Sequence, residues 1–95
     1  MGSEQQTTSM IQAGTELGQD FAAAVTLAVK RSNADNGAKR EMARIVLREI
    51  SRAVEELQAT GVVQSMVDAY ERACRGACRE ELLRQFPPEI GRAAA

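Results

Sequence analysis

The sequence contains no histidine and no tryptophan among its 95 residues. Histidine is the commonest general base and the commonest metal ligand in proteins, so its absence removes the simplest route to an enzyme or a metal site. Many of the carboxylates have a cation within a helical turn, as Asp68 has Arg72 and Glu80 has Arg84, which is typical of surface ion pairs and not of a catalytic site. We therefore predict a protein that is not an enzyme and that uses no cofactor and no small-molecule substrate.

Long apolar runs and alternating strand patterns are also missing. No apolar run approaches the roughly 20 residues that a membrane span requires, and we expect no membrane association. The N-terminal residues do not join a basic region to an apolar one, so we predict no secretory signal and a cytoplasmic protein. The charges nearly balance, with 12 basic and 13 acidic residues, which gives no overall attraction to nucleic acid.

What the sequence does contain is three amphipathic segments rich in residues that favour helices. They predict an all-α fold, a three-helix up-down-up bundle with helices over about 9–31, 38–59 and 62–86. Such a small domain buries a limited core, so we expect homodimerisation to complete the bundle.

The segment boundaries divide the chain into three parts. Residues 1–8 are predicted to be a flexible N-terminal segment, 9–86 the helical domain, and 87–95 a tail that starts at two prolines. Gly61 fits a C-cap of the second helix. Thr60 is the expected cap of the third helix.

The first helix combines an apolar stripe with a series of small residues. The stripe comprises Met10, Gly14, Leu17, Phe21, Ala24, Val25 and Ala28. Gly14, Gly18 and Ala22 recur at every fourth position, and each glycine costs the helix roughly 1 kcal/mol relative to alanine. We therefore predict that a neighbouring helix approaches closely along these small residues.

Two cysteines, Cys74 and Cys78, lie one helical turn apart in the third helix. Their Cβ atoms are expected about 5–6 Å apart, which disfavours a disulfide within an intact helix. They supply only two of the four ligands of a closed zinc site. We predict that both pack in the core as small hydrophobic residues, and a thiolate metal or redox site shared by two copies is the alternative.

The second helix carries an arginine at every fourth position: Arg40, Arg44, Arg48 and Arg52. Like charges at this spacing repel, so the row requires counter-charges, and a phosphate backbone would supply them. Acidic residues share the helix, however, and no aromatic residue is interleaved for base stacking. We predict a solvated face and do not expect nucleic-acid binding, which is kept as an alternative function.

Three large apolar residues, Leu82, Leu83 and Phe86, end the third helix. On a helical wheel they lie on average more than about 100° from the stripe that contains the cysteines. One straight helix on one core cannot bury both sets, so we predict a bend between Gly76 and Glu80 or a second surface over this end. The sequence thus predicts a protein–protein interaction module with partner-binding residues at this end. The expected partners are a second copy and another protein.

Overall fold

The computed structural model describes residues 2–33 and 35–86, and in these residues it contains three α-helices and no strand. Helix α1 spans Gly2–Ser32, α2 spans Asn36–Ala59 and α3 spans Gln64–Gln85. Helix α1 packs closely along α3, whereas α2 makes looser contacts with both. The predicted all-α three-helix bundle is confirmed.

The closest approach in the bundle joins the small residues of α1 to the backbone of α3. A Cβ atom on Gly14 would overlap the carbonyl oxygen of Tyr70, and one on Gly18 would overlap that of Cys74. The two contacts follow the same order along both helices, so α1 and α3 run parallel. Helix α2 connects them in the chain and runs in the opposite direction. The predicted close approach along the small residues of α1 is confirmed, and the structure shows that the neighbouring helix, which the sequence left unspecified, is α3 of the same chain.

The core lies where the three helices meet. Its buried residues are Ala22, Val25, Val29, Val46, Ile50, Val54, Val67, Cys74 and Cys78. The predicted stripe of α1 is wrong at Ala24 and Ala28, which are exposed, whereas Gly18 and Val29 are buried. The buried arc of α1 is rotated toward the small residues because α3 contacts the helix there.

Helix α1 begins at Gly2, well before the predicted start at residue 9, so the segment expected to be flexible is helical from that residue on. Met10 and the turn before it lie beside the connection between α2 and α3, where they share a depression with Val62, Val63 and Met66. This depression places the first turns of α1 next to the connection between α2 and α3, an arrangement that the sequence pattern does not reveal.

The ends of α2 are defined by side-chain caps. The Asp35 carboxylate accepts a hydrogen bond of 2.8 Å from the backbone N–H of Ala38, as an N-cap residue does. Thr60 is the C-cap of α2, where its hydroxyl donates to the carbonyl of Leu57, and not the predicted cap of α3. Gly61 follows with a φ of 85°, which confirms the predicted glycine signal.

Helix α3 begins after Val63, which forms no side-chain cap hydrogen bond, and is uninterrupted to Gln85. The predicted tail, 87–95, lies outside the described residues. Within the part that the structure describes, no helix has both the length and the apolar character needed to cross a lipid bilayer.

Candidate functional site

An open apolar groove lies at the end of the bundle where α2 begins and α3 ends. Its volume is about 470 Å³. The floor is formed by Val25 and Val29 of α1. The walls are Lys39, Ala43, Val46 and Leu47 of α2 and Arg75, Cys78, Arg79, Leu82, Leu83 and Phe86 of α3. The groove forms because α2 packs only loosely against α3 and leaves apolar side chains of both helices uncovered at this end.

The three residues predicted to bind a partner all line this groove, but not in the way that the sequence suggested. Leu82 and Phe86 are half-buried and pack against the core of the chain itself, and only Leu83 is largely exposed, at 44%. The prediction that all three turn away from the core is therefore wrong. Helix α3 has two neighbours, α1 and α2, so its buried arc is wider than one stripe and needs no break near Gly76.

Leu47 forms the opposite edge of the groove and is 48% exposed. It is left half uncovered because the groove separates it from α3. Leu47 and Leu83 thus present two leucine side chains to solvent on facing walls. An apolar partner surface that filled the groove would cover both.

Every charged residue that lines the groove is a cation. The Lys39 ammonium lies 5.6 Å from the centroid of the Phe86 ring, a cation–π distance that holds the ring at the groove's end. Arg75 donates from Nε to Glu71 at 2.9 Å and from Nη2 to Ser51 at 3.1 Å, which links α3 to α2. Arg79 is exposed. The groove therefore has an apolar interior and a positively charged margin.

Sequence reasoning did not include these three cations in the site. A signal was nevertheless present, because Arg75 and Arg79 precede Leu82 and Phe86 by seven residues, two turns of the same helix face. Lys39 could not have been assigned in this way, since its position over Phe86 depends on how α2 packs against α3.

The arginine row of α2 does not form one continuous surface. All four side chains are exposed. Positions four apart drift by about 40° around a helix. Arg40 and Arg44 consequently lie on the side of Leu47, near the groove, whereas Arg52 lines a separate depression with Phe21 and Glu49. The nucleic-acid contact expected as an alternative would require all four on one face.

Cys74 and Cys78 are free thiols buried between α1 and α3. Burial raises the pKa of Cys74 from an ordinary value of 9.0 to about 11, the nearby Cys78 raises it further, and the Arg75 guanidinium opposes this effect. Burial also raises the pKa of Cys78. Both groups are therefore neutral thiols near pH 7, which are poor nucleophiles and poor metal ligands. Among the described residues no cluster of three or more His, Cys, Asp or Glu could hold a metal ion.

We expect the stability of the protein to fall in alkaline solution because of these thiols. The pKa of Cys74 is higher in the folded state than in the unfolded state, so its stabilising contribution is complete below pH 9 and is lost as the pH rises to about 11. Urea unfolding at a series of pH values measures this decline. Cys74→Ala should lower the free energy of unfolding at every pH but give a shallower decline of that free energy above pH 9. An unchanged decline in this variant would contradict the role of the Cys74 thiol.

Comparison with known proteins returned no matching protein-family model, curated protein or solved structure.

Proposed function

We propose that this chain is a small, non-enzymatic protein–protein interaction module that receives a helix of another protein in the groove between α2 and α3. The observation that carries the proposal is the open apolar groove, with the half-exposed Leu47 and Leu83 on its two edges. A helix with an apolar face in a hydrophobic groove is a common mode of peptide recognition. The proposal keeps the cytoplasmic location predicted from the sequence, where free thiols persist in reduced form.

The chemistry of the groove supports binding in preference to catalysis. Its lining consists of aliphatic and aromatic side chains, three cations and the Cys78 thiol, whose pKa is raised by burial. The lining residues include no histidine and no carboxylate, the side chains that most often act as a general base. Apolar contact with a charged margin is what this lining provides.

A second copy of the chain is the other occupant that the sequence predicts. If two grooves paired about a two-fold axis, Lys39, Arg75 and Arg79 of each copy would lie near the same residues of the other copy. Like charges brought together in this way repel. We therefore place a different protein before a second copy as the occupant of the groove.

The proposal is tested with a helical peptide that carries leucines on one face and glutamines elsewhere, titrated into the isotope-labelled chain. We expect saturable changes in amide chemical shift around Leu47 and Leu83, because both side chains become covered. Leu47→Glu should weaken binding at least tenfold, since a carboxylate then replaces the apolar contact at the groove edge.

Ile45→Glu is the matched control, because Ile45 is 46% exposed on the same helix but does not line the groove. It should bind the peptide as the original chain does. Equal weakening by both variants, or shift changes spread over the whole surface, would contradict the proposal. A dimer seen by light scattering and abolished by Leu47→Glu alone would assign the groove to a second copy.

A further inference from the structure

We propose that the occupant of the groove is an acidic amphipathic helix, with an apolar stripe flanked on both sides by Asp or Glu. This inference rests on the proposed function and specifies the chemistry of the partner. It starts from an imbalance in the groove: the chain has 13 acidic and 12 basic residues, yet no carboxylate lines the groove and three cations do.

The α3 edge of the groove offers an arginine available for a partner. Arg79 is exposed, and within residues 2–33 and 35–86 it has no ion-pair partner. It precedes Leu83 by four residues, so the two side chains are neighbours along the helix. A carboxylate one turn from the apolar stripe of a docked helix would reach this guanidinium while the stripe covers Leu83.

The α2 edge repeats the same arrangement. Arg40 lies seven residues before Leu47, and Arg44 lies three residues before it. Both arginines are therefore on the side of the helix that bears the leucine. Arg44 pairs with Glu41 at 3.6 Å, but their side chains are 72% and 57% exposed. Such an exposed pair contributes little to stability, so a partner carboxylate can compete for Arg44.

The apolar contacts alone make a weak complex, so the charges at the groove edges have a large influence on affinity. Leu47 and Leu83 are already about half-buried, so a docked helix gains only part of what covering two fully exposed leucines would give. Association also costs translational and rotational freedom, which these contacts must offset. Cations on both edges therefore decide which apolar helices bind, and they favour helices with acidic flanks.

A nucleic-acid strand fits the groove less well than a helix does. Its phosphates would pair with the cations, but the aliphatic walls would remain uncovered, and the aromatic ring of the lining, Phe86, is already covered by Lys39. A protein helix satisfies the charged margin and the apolar interior together.

The experiment compares three helical peptides that share one leucine stripe and carry glutamate, glutamine or lysine at the flanking positions. Isothermal titration with the full chain should show the glutamate peptide binding at least tenfold more tightly than the glutamine peptide at low salt. The lysine peptide should bind most weakly. The preference should shrink as salt rises, because the Debye length falls to about 10 Å at 0.1 M.

Two variants link this preference to the groove. Arg79→Glu should remove most of the preference, so that the glutamate peptide no longer binds more tightly than the glutamine peptide. Arg52→Glu reverses an equally exposed charge away from the groove and should keep the preference.

The outcomes separate this inference from the proposed function. Equal affinity for the glutamate and glutamine peptides, with loss of both in Leu47→Glu, would overturn the acidic partner and leave the interaction module intact. No binding by any of the three peptides would overturn both. A glutamate peptide without leucines and a short DNA duplex serve as further probes. If either bound as tightly as the leucine-containing glutamate peptide, the groove would be a general anion site and not a site for an amphipathic helix. The segment after Phe86 contains one large apolar residue, Ile90. If Ile90→Ser raised the affinity for the glutamate and glutamine peptides at least tenfold, the groove would be assigned to that segment of the chain itself.

Discussion

Replacing Gly18 with alanine is expected to lower the free energy of unfolding by about 1–3 kcal/mol, although alanine is the better helix former. The added Cβ would overlap the carbonyl oxygen of Cys74 and lie 3.0 Å from the backbone nitrogen of Cys78. Both contacts are to backbone atoms, which no side-chain rotation can move. Helices α1 and α3 would have to separate, and the packing around Ala22 and the two cysteines would loosen with them.

Gly76→Ala is the matched control for this substitution. Gly76 also lies within a helix, but a Cβ atom there would meet nothing within 4 Å. We expect this variant to gain about 0.5–1 kcal/mol, because alanine loses less backbone entropy in a helix than glycine. Urea unfolding of the two variants beside the original chain measures the difference. Equal stabilisation by both would show that α1 and α3 are not in contact at Gly18.

Replacing Ile50 with alanine is expected to destabilise the protein by about 2–5 kcal/mol, as large-to-small changes in a core do. Ile50 has no exposed surface and lies on α2 in the cluster where all three helices meet. Helix α2 packs more loosely than α1 and α3 do, so fewer other side chains hold it in place. Since a small domain has only about 5–15 kcal/mol of stability, the change removes a large share.

Ile45→Ala provides the comparison for Ile50, because it makes the same chemical change at a side chain that is 46% exposed on the same helix. It should alter stability by no more than about 0.5 kcal/mol. If Ile50→Ala does not fold, Ile50→Val should fold and lose about 0.5–1.5 kcal/mol. Similar losses at both positions would mean that α2 does not bury the face that the structure assigns to it.

These two positions also bear on the groove. The contact at Gly18 fixes α3 against α1, and Ile50 anchors α2 in the core that the three helices share. The groove is the space left between one closely packed pair of helices and one loosely packed helix. Variants that loosen either anchor should therefore weaken peptide binding as well as stability, whereas Leu47→Glu should affect binding alone.

The helical periodicity was sufficient to predict the fold class and the number of helices. It also indicated the close approach along Gly14 and Gly18, because two glycines in a helix need a packing reason. It did not predict the start of α1, where the turns before residue 9 lie next to the connection between α2 and α3. The cap assignment of Thr60 was wrong, because a threonine hydroxyl can form hydrogen bonds at either end of a helix and the residue type alone does not say which.

The three apolar residues at the end of α3, predicted from the sequence to bind a partner, all line the groove, and Leu82 and Phe86 pack against the core as well. A helical wheel describes one helix against one neighbour, and α3 has two. The cations of the groove, above all Lys39 over Phe86, come from different helices and become neighbours only when the chain folds.

The sequence by itself determined that this chain forms three amphipathic helices. Apolar residues spaced about 3.6 positions apart are a property of each segment and do not depend on the rest of the fold. Only the tertiary structure decided that α1 and α3 pair tightly while α2 packs loosely, and that a cation-edged groove opens between α2 and α3. That outcome depends on the relative distances and rotations of the helices, which are set by contacts between residues far apart in the chain.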